Sequence, residues 1–163
     1  MKKFTLTTTL KLLRKHGACE DGYRTLLKSL GPKWPKDKPI NLLHILKSNG
    51  VQDMMWCLRA TVEDSTIPRV AIAADMAISV LHIFAKARPN DTRVADCIKT
   101  CFAFVRGKAT YTQLAAARAA ARAAGDAAGD AAWAAAWAAR DAARAAGDAE
   151  QIKQAAIIRK WLK

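Results

Sequence analysis

Apolar residues in this 163-residue chain recur at three- and four-residue intervals and almost nowhere alternate, so the pattern predicts helix after helix. Leu6 to Lys15 reads as a first helix stopping at Gly17, and Cys19 to Leu30 as a second stopping at Gly31. The stretch GPKWPKDKP, residues 31–39, is a basic loop around Trp34, because its prolines remove backbone donors. Ile40 to Ser48 predicts a short helix closed by Asn49-Gly50, and Val51 to Val62 follows with Met55, Trp56 and Leu58 as packing residues.

Asp64, Ser65 or Thr66 is placed to cap a helix that begins near Pro68, where the missing proline N–H has no helical partner to lose. It runs to about Arg88, is apolar nearly all round, and is therefore expected to be central. Its polar residues Asp75, Ser79, His82 and Lys86 fall within about 60° of one another at 100° per residue, either a solvent seam or one wall of a polar pocket. Pro89-Asn90-Asp91 stops that helix and caps the next, which carries Val94, Cys97, Ile98, Cys101 and Val105 to Gly107.

From Leu114 to Ala149 most residues are alanine, the best helix former. Gly-Asp recurs at 125–126, 129–130 and 147–148, where glycine would close one helix and aspartate cap the next, and a last helix reads from Asp148 to Leu162. The expected fold class is all-α: a compact multi-helix bundle with a closely packed alanine-rich C-terminal segment. One domain, 1–163, is expected, made of basic N-terminal helices and a loop (1–63), central helices (64–107) and alanine-rich helices (108–163).

Within DAAWAAAWAARDAARAAGDA, residues 130–149, Trp133, Trp137, Arg140 and Arg144 share one side of a helix and leave the opposite side to alanine. Indole and guanidinium at these spacings can stack or clamp a flat anionic group. The same side equally suits large knobs packed on other helices, with Asp141 neutralising an arginine.

Charge narrows the partner. The formal net charge is +13 and the pI near 10.0, and residues 1–49 hold eleven Lys or Arg against three Asp or Glu, a net +8. Such a balance favours polyanionic partners, although surface lysines also serve solubility alone. Cys97 and Cys101, one turn apart on an apolar face, read as core thiols, and Cys19 and Cys57 have no CxxC partner. Without a signal peptide or an uninterrupted apolar run of about 18 residues, the expectation is a protein of the reducing cytoplasm that does not enter a membrane.

His16, His44 and His82 lie on separate elements with no HxxxH, HExxH or Cys/His metal spacing, and no GxSxG or Walker A pattern is present. Cys19 near His16 reads as packing beside a helix-ending glycine. No catalysis, no metal and no cofactor are expected.

The stretches HGACEDGYRTL (16–26), DMMWCLRA (53–60), AADMAISVLHIF (73–84) and RPNDTRVADCI (88–98), followed by the alanine ladder, resemble in their order an alanine-rich helical family of bacterial and phage proteins often labelled immunity proteins. The resemblance covers most of the chain and rests on Ala18-Cys19 with Gly22, Asp53 with Trp56 and Leu58, Ala74-Asp75 with Val80-Leu81, and Pro89 with Asp91 and Arg93. It implies a helical fold and no catalytic residues, and a phage context implies a small protein that counters host defence inside the bacterial cytoplasm.

Charge and context together predict a non-catalytic binder that sequesters a phosphate-bearing ligand such as a nucleotide immune signal. Trp133 or Trp137 would stack on a ring, Arg140 and Arg144 would neutralise phosphate, and Arg59, Arg93 and Lys86 are secondary candidates. Two alternatives stand beside it: an immunity or inhibitor protein that masks a host or toxin protein, and a sequence-independent nucleic-acid binder. A homo-oligomer is compatible with each.

Overall fold

The computed structural model describes residues 3–127 and 151–163, and its contacts divide the chain into two compact units, Met1–Arg69 with Lys153–Lys163, and Val70–Ile152. Among the described residues the architecture is mostly α, with one minimal two-stranded sheet.

In the first unit, β1 (Thr7–Thr8) pairs antiparallel with β2 (Ile40–Asn41), matching Thr7 to Asn41 and Thr8 to Ile40. The first predicted helix therefore starts late: α1 spans Leu10–Lys15, because the Thr9 hydroxyl accepts the Leu12 N–H and ends the strand in a helix cap. Ile40 likewise belongs to β2, and the Asn41 side chain caps α3 (Leu42–Asn49) by accepting the Leu43 N–H at 2.8 Å. Between these elements α2 (Glu20–Leu30) ends at Gly31, as its glycine predicts.

The fourth helix, α4, is Val51–Cys57 rather than Val51–Val62. The N–H groups of Leu58, Arg59 and Ala60 reach back only three residues, tightening the turn. Val62 N–H then bonds Thr7 O at 2.8 Å, and the Glu63 carboxylate takes the Thr7 N–H and hydroxyl, so this strand contact outcompetes further helix. A helical segment over residues 151–161, α8, leads into Leu162, which forms a parallel bridge with Phe4. Leu10, Leu26, Leu42, Ile45, Met54 and Ile158 are almost completely buried in this unit. Each such side chain contributes roughly 1.5–3 kcal/mol by leaving water.

The unit boundary falls inside α5 (Thr66–Ala87), whose first turn is set by Asp64 accepting the Thr66 N–H and hydroxyl. In the second unit α5 is followed by α6 (Arg93–Val105) and α7 (Tyr111–Ala127), which pack on each other. Val70, Ala74, Cys101 and Leu114 form the buried cluster, with Phe102 against it, so Cys101 sits in the core as its spacing predicts, while half-buried Cys97 packs against it. Thr110 and Gln113 form a capping box for α7, with Thr110 N–H donating to Gln113 Oε1 at 2.8 Å and Gln113 N–H to the Thr110 hydroxyl at 3.2 Å.

Two expectations are corrected here. Gly125-Asp126 does not close a helix: α7 runs through it to Ala127, since flanking alanines offset the roughly 1 kcal/mol that one internal glycine costs. Nor is α5 central along its whole length. Val70, Ala71, Ile72, Ala74 and Asp75 are buried, whereas Ile78, Val80 and Ile83 are 50%, 43% and 62% exposed. By length and composition α5 is apolar enough to cross a membrane, with a mean hydropathy of 1.7.

Candidate functional site

The first unit holds a cavity of about 250 Å³ walled by α2, α3 and α4 and by the turn that precedes α2. Ala18, Cys19, Gly22 and Tyr23 come from one side, Asn49 from the end of α3, and Gln52, Asp53, Trp56 and Cys57 from α4. Two sequence stretches, 16–26 and 53–60, thus meet at one place. Leu13, Leu26 and Ile45 supply its apolar floor.

One amide ties the three helices. Asn49 Nδ2 donates to Gly22 O at 2.7 Å and to Asp53 Oδ2 at 2.8 Å, while Asn49 Oδ1 accepts the Ser48 hydroxyl at 2.7 Å. Because both neighbouring oxygens are acceptors, the amide nitrogen must face them. Asn49 can occupy that position because Gly50, at φ +88°, turns the chain sharply between α3 and α4. Gly22 is needed for a different reason: a Cβ there would lie 2.7 Å from Asp53 Oδ2 and 3.1 Å from Cys19 Sγ.

Asp53 is half-buried, and its carboxylate forms no ion pair among the described residues. Burial, reinforced by the Asp53 charge, pushes the Cys57 thiol up to about 12, so this wall stays a neutral thiol at physiological pH. At pH 8 Cys57 should hold roughly a thousandfold less thiolate than an unperturbed cysteine. Iodoacetamide is accordingly expected to label exposed Cys19 in the native protein and Cys57 only after denaturation, as read by peptide mass spectrometry. Fast labelling of Cys57 without denaturant would contradict the assigned burial.

Two arginines flank the aromatic walls. The Arg14 guanidinium lies 3.8 Å from the Tyr23 ring centroid and also pairs with Glu20 at 2.7 Å. Glu20 raises the Arg14 pKa, and Arg14 in turn lowers that of Glu20. Arg59 lies 5.3 Å from the Trp56 ring centroid and has no ion pair among the described residues, which leaves its charge available.

Of the residues singled out from sequence, three lie among the described residues, Arg59 in the first unit and Lys86 and Arg93 in the second. Arg59 does not line the cavity but lies 5.3 Å from the ring of Trp56, which does. Lys86 is exposed in the second unit, at an open depression with His82 and Ile83. Arg93 is committed to Asp91 through Nε at 2.9 Å and a terminal nitrogen at 2.7 Å, at another open depression over residues 87–93. Trp133, Trp137, Arg140 and Arg144 lie outside the described residues. Among the described residues no group of three His, Cys, Asp or Glu is placed to hold a metal ion.

The Arg93 hydrogen bonds hold the Asp91 carboxyl down at about 2. A depressed carboxyl favours the folded turn above the ordinary value near 3.9 and loses that contribution as pH falls through about 2. Carboxyl NMR titration should therefore place Asp91 near 2, and Arg93→Gln should return it toward the ordinary range.

Gly22, Asn49 and Asp53 are the cavity residues that the sequence reading did not single out as a site. The signal was Gly22, a glycine within the first turn of a helical pattern, which marks a close approach by something else. Comparison with protein-family models, with curated proteins and with solved structures gives no match, so what the cavity can hold follows from its own chemistry.

Proposed function

We propose that the protein is a non-catalytic binder that seats the ring of a phosphate-bearing ligand of nucleotide type in the α2–α3–α4 cavity. The observation that carries this reading is the cavity itself: about 250 Å³, apolar at its floor, with Tyr23 and Trp56 in its walls, a carboxylate and an amide on one side, and Arg59 5.3 Å from the Trp56 ring. A planar ring gains stacking and burial on such walls, and a few fixed polar groups set its orientation. The net charge of +13 draws an anion toward the site.

The resemblance to bacterial and phage proteins labelled immunity proteins gives this binding a biological reading. The ligand would be a nucleotide immune signal that a phage-type protein withholds from host defence in the bacterial cytoplasm. Binding alone would suffice for that role, and Cys57, held as a neutral thiol, is unsuited to be a nucleophile.

Calorimetry with linear, cyclic and ADP-ribose-like nucleotides tests the reading, and no heat with any of them would sink it. Arg59→Ala should weaken a nucleotide about tenfold while leaving the matching nucleoside unchanged, because only the former carries phosphate for the guanidinium.

A second reading is favoured by one observation, the exposure of Ile78, Val80 and Ile83 on α5, which suits a host or toxin protein as partner. Stoichiometric recovery of one protein after nuclease treatment, lost on Ile83→Asp, would support it.

A further inference from the structure

Resting on the nucleotide reading above, we infer that the cavity selects a guanine-type base, whose donor edge is read by the Asp53 carboxylate. Asp53 Oδ2 accepts the Asn49 amide at 2.8 Å, and no residue among those described donates to Oδ1. A half-buried carboxylate lining a largely apolar wall keeps one oxygen without a protein partner. Removing such an acceptor from water is costly unless a ligand donor replaces the lost hydration.

The donor's chemistry follows from two fields of opposite sign. At long range the protein carries +13, which repels free polyamines and draws in anions. At contact range the cavity presents a negative acceptor. A ligand that satisfies both is an anion whose ring bears adjacent N–H donors.

Guanine offers N1–H and the C2 amino group side by side, matching Oδ1 and the lone pair of Oδ2 that the Asn49 amide does not use. Hypoxanthine keeps N1–H and lacks the amino group. Adenine presents an acceptor at N1, and xanthine places a carbonyl where guanine has its amino group. Asn49 holds Asp53 in place for this reading: its amide is spent on Gly22 O and on one lone pair of Asp53 Oδ2, which leaves Oδ1 and the second lone pair of Oδ2 for the ligand.

Titration calorimetry of the full chain with GMP, IMP, AMP and XMP tests the inference. The expected order is GMP, then IMP, with AMP and XMP weaker than GMP by about ten- to hundredfold, the factor a charged hydrogen-bond acceptor supplies. Asp53→Asn, with folding checked by its melting curve, should lose about the same factor for GMP and gain for XMP, since an amide nitrogen can donate to the C2 carbonyl. Misfolding cannot produce that inversion. Should the variant not fold, the wild-type order decides alone. Equal affinity for GMP and AMP, or a GMP preference unchanged in Asp53→Asn, overturns the inference and leaves the nucleotide reading standing. Failure of all four to bind overturns the inference, and the wider panel of linear, cyclic and ADP-ribose-like nucleotides then decides the nucleotide reading.

Discussion

Gly22→Ala is expected to lower the unfolding free energy by about 1–2 kcal/mol and to abolish ligand binding in the cavity. Two effects oppose each other. Alanine in place of a glycine inside α2 gains up to roughly 1 kcal/mol of helix propensity. Against that, the new methyl group would sit 2.7 Å from Asp53 Oδ2, 3.1 Å from Cys19 Sγ and 3.3 Å from Asp53 Cγ.

Relief requires either α2 and α4 to part or Asp53 to rotate away from Asn49, and overpacking of this kind costs about 1–3 kcal/mol. Strain wins. A melting temperature lower by about 2–8 °C is the expected readout for a chain of this size. The diagnostic step is a double-mutant cycle: in an Asp53→Ala background the clash is gone, so Gly22→Ala should become neutral or stabilising. A Gly22→Ala protein as stable as wild type would show that the close approach of α2 to α4 is absent.

That close approach also separates what could be read from the sequence from what could not. The stop at Gly31, the cap at Asp64 to Thr66 and the apolar run of α6 are local events, set by residues within one or two turns, and the chain states them directly. The strands β1 and β2 are two residues each, too short to carry a period of two, and Thr7 finds its partners at Asn41 and Glu63.

α4 stops at Cys57 for the same kind of reason, because Val62 bonds Thr7 rather than continuing the helix. The cavity is non-local throughout: Gly22, Asn49 and Asp53 meet across three helices, and no periodicity places an asparagine amide against a carbonyl 27 residues away. Sequence did point to Arg59 and to the stretches that carry Gly22 and Asp53, while its principal candidates, Trp133 to Arg144, fall beyond the described residues.

Within α5 the apolar composition was legible, but its burial was not. Hydrophobicity fixes how much a residue would gain from cover. Which half of a 22-residue helix receives that cover depends on where the neighbours end.

A core truncation in α4 should have the larger effect on stability and the smaller on binding. Met54 is fully buried and neighbours Asp53 in sequence, but its side chain is not part of the cavity wall. Met54→Ala removes a long flexible side chain from a closely packed core, and such changes cost about 2–5 kcal/mol according to how far the surroundings collapse. The melting temperature should fall by about 4–20 °C, with the urea midpoint falling in proportion.

At a temperature where the variant is still folded, its affinity for the cavity ligand should stay within about threefold of wild type, since Asn49, Asp53 and Trp56 keep their partners and distances. Gly22→Ala predicts the reverse balance, with modest destabilisation and lost binding. The pair therefore separates two roles of α4, one side sealing the core of the first unit and the other facing the cavity. If Met54→Ala removes binding while the fold persists, those two roles are one, and the cavity cannot be treated as a site built on a rigid frame.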